Sequence, residues 1–120
     1  MRLETLPSTL SQNEQEALEA LTVRLPRLLS TNFISLRLFG SKARGEATAD
    51  SDIDLLLTVK ELDLRQKQAI YEIVLDVDLE YDAKISLKVF TTEELQRSQA
   101  LGSPFFGNLD REGIVLAGGS

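Results

Sequence analysis

Leu36 to Val59 reads LRLFGSKARGEATADSDIDLLLTV, and the reading of the whole chain turns on it. An apolar strand, starting upstream in FISLRLF (Phe33 to Phe39), runs into the Gly40-Ser41 pair. Ten residues, Lys42 to Ser51, lead to a second apolar strand that opens Asp52-Ile53-Asp54. Side chains alternate across a strand, so Ile53, Leu55, Leu57 and Val59 share one face and Asp52, Asp54, Leu56 and Thr58 the other. The first set belongs in a core, which leaves both aspartates on the opposite face.

The flanking sequence supplies layers for that sheet. Ser11 and Glu14 have capping-box spacing, and Ala17, Leu18, Leu21, Leu25 and Leu28 recur at helical intervals, a helix that Pro26 is expected to kink or end. A second helix, with Asp63 as its N-cap, is predicted to about Leu79 with Ile70, Ile73, Val74 and Val77 on its core stripe. DAKISLKVF, Asp82 to Phe90, alternates again: Ile85, Leu87 and Val89 face one way, and Asp82, Lys84, Ser86 and Lys88 the other. Thr91 and Glu94 repeat the capping-box spacing ahead of TEELQRSQAL, which Gly102 and Pro104 stop, and a brief strand is expected at Ile114 to Leu116.

A chain of 120 residues with 42% hydrophobic and 27% charged content reads as one domain, 1–120, of mixed α/β (α+β) class with a small twisted sheet packed by helices. The formal charge of -6 argues against a broad grip on nucleic acid. With no cysteine and no histidine, thiolate chemistry, Ser-His-Asp and Cys-His mechanisms and cysteine-ligated zinc are all excluded. Catalysis would have to run on carboxylates and metal. The polar N-terminal stretch has no apolar signal core and no run is long enough to span a membrane, so a soluble cytoplasmic protein is expected.

Nucleotidyl transfer needs hard cations at crowded phosphate oxygens, and such cations want oxygen ligands. Aspartates at i and i+2 on a strand point the same way with Cα atoms roughly 6.6 to 7 Å apart, so their carboxylates can converge on metal. Gly40 lets backbone approach phosphate, and the Ser41 hydroxyl and nearby N–H groups can donate to its oxygens. Lys42 and Arg44 are either anion contacts or plain solubilising charge. GSKARGEATADSDID fits the G-S-x10-D-x-D pattern of the polymerase-β-like nucleotidyltransferases, and the chain resembles their minimal nucleotidyltransferase (MNT) domains over roughly Phe33 to Leu116.

That resemblance implies two Mg2+ ions, ATP as donor, Asp52 and Asp54 as metal ligands and catalytic residues, and Gly40, Ser41, Lys42 and Arg44 at the nucleotide. It also implies a third acid mid-way along the third strand, where this sequence has Ser86 or Lys88. Asp82 is the candidate substitute, as metal ligand and catalytic residue, with a turn residue as the alternative reading. Stand-alone MNT domains resemble antitoxins that transfer AMP to a tyrosine of a HEPN ribonuclease toxin. The implied partner is therefore a protein held in a hetero-oligomer.

Overall fold

A computed structural model describes residues 10–40, 52–102 and 113–118. Helix α1 (Gln12–Leu29) and a single 3-10 turn (Ser30–Asn32) lead into strand β1 (Phe33–Phe39). Strand β2 (Ile53–Val59), helix α2 (Leu64–Tyr81), strand β3 (Ile85–Thr91), helix α3 (Thr92–Ala100) and strand β4 (Ile114–Gly118) follow. The four strands form one sheet in the order β3-β2-β1-β4. β1 is antiparallel to β2 and β4, whereas β2 and β3 are parallel, with α2 as their crossover. No helix among the described residues is long and apolar enough to cross a membrane.

The alternation expected for β2 is realised. Ile53, Leu55, Leu57 and Val59 are buried in the core with Leu36 and Leu38 of β1, Leu87 of β3 and Leu116 of β4. α1 and α2 close that core from one side, contributing Ala17, Leu18, Leu21, Leu25 and Leu29, and Ile70, Val74 and Val77. The three described helices begin with the same device. Ser11, Asp63 and Thr91 accept from the backbone N–H of Glu14, Gln66 and Glu94, whose side chains accept in return from the cap N–H.

Several expectations need correction. α1 does not stop at Pro26 but runs to Leu29, because the donor lost at Pro26 is offset by burial of Leu25 and Leu29 on either side of it. Leu29, not Leu28, completes the apolar stripe, and Leu28 is exposed. Finally, β3 begins at Ile85 and not at Asp82. Asp82 is the C-cap of α2 in the left-handed conformation (φ 53°, ψ 46°), where its N–H donates to the Asp78 carbonyl. At the far end β4 extends two residues past Leu116, to Gly118.

Asp78 ties this turn to the sheet by accepting from the Ile85 backbone N–H (3.1 Å). Burial pushes its carboxyl above the ordinary carboxylate range, and the Ile85 hydrogen bond only partly opposes this. The folded state therefore holds the proton more tightly than the unfolded chain, and the resulting stability is present at low pH and lost as pH rises through the folded value. Asp78→Asn keeps an acceptor without the buried charge. Thermal melts between about pH 3 and about pH 7 are expected to show a flatter acid dependence in the variant and a gain of less than about 1 kcal/mol at neutral pH.

Candidate active site

The face of the sheet away from α1 and α2 carries the site. In the register of the strands, Asp54 stands between Phe39 of β1 and Ser86 of β3. The next row is Arg37, Leu56 and Lys88, and the one after it Ser35, Thr58 and Phe90. The floor is dry: Leu56 is fully buried, and Ser35 and Thr58 are nearly so. Two cationic side chains thus lie one row from the carboxylate, about 6.6 to 7 Å along the strands. Arg37 escaped the sequence reading, although its signal was present: a charge inside an apolar strand, on the parity opposite Leu36 and Leu38.

Gly40 and Asp54 come together. Gly40 has φ +77°, and a Cβ added to it would overlap the Asp54 carboxylate, standing 3.2 Å from its Cγ. Only glycine meets both demands at once, a left-handed backbone and space for a carboxylate against it. Asp52 is exposed immediately before β2, where the Ile53 N–H donates to the Lys84 carbonyl (2.8 Å). Ser41, Lys42 and Arg44 lie outside the described residues.

Asp82 stands apart from the pattern predicted for it. Its turn is at the same end of the sheet as Asp52, but strand parity does not orient it, and the described residues contain no group of three acids able to hold a metal. The β3 position that faces Asp54 is a serine. Glu80, two residues before Asp82, is held by the Tyr81 hydroxyl and by Arg24 (3.1 Å), which together keep its carboxyl below the usual range. Two carboxylates, a glycine that makes room for one of them and a pair of nearby cations fit a metal-bound polyphosphate.

A family model described as "Nucleotidyltransferase domain" matches residues 24–103. Over 50 residues the chain is 48% identical to a candidate protein adenylyltransferase of Methanocaldococcus jannaschii, a match covering 41% of this chain and 50% of that one. The match thus spans about half the length of that curated relative. The fold is similar to spectinomycin adenyltransferase of Enterococcus faecialis, solved with ATP and spectinomycin (TM-score 0.71, 18% identity, 88% of this chain and 56% of that one). It is also similar to a chain of the MntA–HpeT toxin–antitoxin complex (TM-score 0.56, 22% identity, 92% and 76%).

Proposed function

The chain belongs to the nucleotidyltransferase domain family, and on that premise we propose that it moves AMP from ATP to a hydroxyl of a protein partner, as the antitoxin of a HEPN-type toxin. The observation that supports this is the Gly40–Asp54 juxtaposition, a glycine backbone set against the carboxylate proposed as a metal ligand. The likeness to an adenylyltransferase solved with ATP and to a toxin–antitoxin chain supports the donor and the class of partner. In the reaction the acceptor oxygen bonds to the α-phosphorus, the bond from that phosphorus to the bridging oxygen breaks, pyrophosphate leaves and the hydroxyl proton passes to solvent.

Asp52 and Asp54 are the residues that would hold Mg2+, and the ions, when bound, supply Lewis-acid stabilisation of phosphate charge. Gly40 and Ser41 would seat the phosphates, with Lys42 and Arg44 at their outer oxygens. Arg37 and Lys88 offset polyphosphate charge from the sheet. Asp82 enters this proposal as a removable member. Asp82→Gly relieves a non-glycine left-handed residue and is expected to stabilise the fold by up to about 1 kcal/mol. Melting curves check the gain, and full transfer by the same variant would remove Asp82 from the chemistry.

One observation favours a second reading, in which the domain neutralises its partner by binding alone: Ser86, not an acid, faces Asp54. Transfer to a small molecule is the remaining alternative. The test is to incubate the protein with the protein encoded beside it, ATP and Mg2+, and to weigh the neighbour by intact mass spectrometry. Added AMP that Asp52→Ala and Asp54→Ala both abolish is the expected result. A tight complex with an unchanged mass selects the binding reading.

A further inference from the structure

The outer side of α2 is apolar without being part of the core. Leu64, Tyr71, Leu75 and Leu79 are 72%, 40%, 57% and 76% exposed and recur at i, i+7, i+11 and i+15, with Gln68 at i+4, as a single stripe. Leu64, Tyr71 and Leu75 line a shallow groove of about 610 Å³ with Lys67, Gln68 and Glu72. The Tyr71 hydroxyl donates to the Leu87 carbonyl of the edge strand β3 (3.3 Å), which fixes the ring as one wall of the groove. Single exposed leucines need no explanation, but an ordered stripe along four turns of one helix does.

The charges on α2 are ordered as well, and against the helix dipole. Arg65 and Lys67 lie at the N-terminal end, while Glu72, Asp76, Asp78 and Glu80 lie towards the C-terminal end. Beyond the Asp63 cap, the first turn has no acid and the last has no base, so the charges inside the helix run against its dipole. Glu80 is answered by Arg24 and Asp78 by the Ile85 N–H, but Arg65, Lys67, Glu72 and Asp76 make no ion pair among the described residues. An antiparallel copy of the helix would present the opposite polarity to them.

We infer that this stripe is an interface between two copies of the chain, with α2 against α2, antiparallel, about a two-fold axis near Tyr71 and Glu72. That pairing sets Leu64 against Leu79 of the second copy and Gln68 against its Leu75. It brings Arg65 alongside Asp76, twice by symmetry. The two macrodipoles then oppose one another, whereas a parallel pair would align like charges. Because α2 covers the face of the sheet away from Asp54, both candidate active sites remain open in the pair.

Sedimentation velocity over a concentration series is expected to give a species of twice 13.3 kDa. Leu75→Glu, at an exposed position, should weaken it by about thirtyfold or more with an unchanged circular dichroism spectrum. Arg65→Glu should weaken it too, and Arg65→Glu combined with Asp76→Arg should restore it, which a merely greasy contact would not do. Since the chain has no cysteine, Gln68→Cys and Leu75→Cys chains can be mixed and oxidised, and the expected disulfide joins one to the other. A monomer up to about 100 µM, ten times the concentration at which standard-size interfaces of about 10 µM affinity half assemble, overturns the inference. So does a disulfide between two Leu64→Cys chains, the mark of a parallel pair.

Discussion

Asp54→Asn is expected to lower AMP transfer about a thousandfold while leaving the fold intact. The substitution keeps size and shape but removes one of the two carboxylates proposed to hold the cations, and loss of about 4 kcal/mol of charge stabilisation in the transition state corresponds to that factor. Asp54 is half-buried on β2, at the register position between Phe39 and Ser86, so an asparagine fits the same space. The effect should fall on the rate of transfer more than on nucleotide affinity, because charge at the reacting phosphorus is greatest in the transition state. Initial rates with ATP in excess, beside a melting curve, check both halves.

The second large effect is at Gly40. Gly40→Ala adds a left-handed alanine, costing about 1 to 2 kcal/mol of stability, and drives a methyl group into the Asp54 carboxylate. Displacing a ligand carboxylate by even an ångström is worth about a hundredfold in rate. A matched control exists in the same chain. Gly102 also has a positive φ (+71°), but an added Cβ meets nothing within 4 Å, so Gly102→Ala should carry the backbone penalty alone. Equal loss of transfer in the two variants would trace the Gly40 effect to backbone strain and not to Asp54.

Much of this architecture is local in origin and was therefore legible. The alternation of Ile53 to Val59 fixes which face of β2 is core, and two capping boxes and the Asp63 N-cap mark where helices start, because these signals lie within a few residues of the groups they satisfy. The strand reading of Asp82 fails and its alternative as a turn residue holds, because a strand pattern cannot announce its own first residue. The deciding fact is the helix end at Tyr81, where an aspartate accepts the left-handed cap that most residues avoid. Pro26 illustrates a local rule overruled by tertiary burial, since Leu25 and Leu29 gain more in the core than one missing hydrogen bond removes.

The candidate site divides in the same way. The aspartate pair and the Gly-Ser turn are visible as a spacing, but that Gly40 abuts Asp54 and that Ser86 faces it depend on strand register across two different partners. Register is a property of the closed sheet, set by the core on its other face. Arg37 became part of the site by the same route: β1 places it one row from Asp54, beside Leu56.

The most direct measurement follows phosphorus from ATP. With the neighbouring protein as acceptor and Mg2+ present, label in the α-phosphate should become fixed on that protein, and label in the γ-phosphate should leave as pyrophosphate. Asp54→Asn should fix neither. Label from the γ-phosphate on the acceptor, or no α-label on it in a complex that nevertheless forms, would contradict nucleotidyl transfer by Asp52, Asp54 and Gly40.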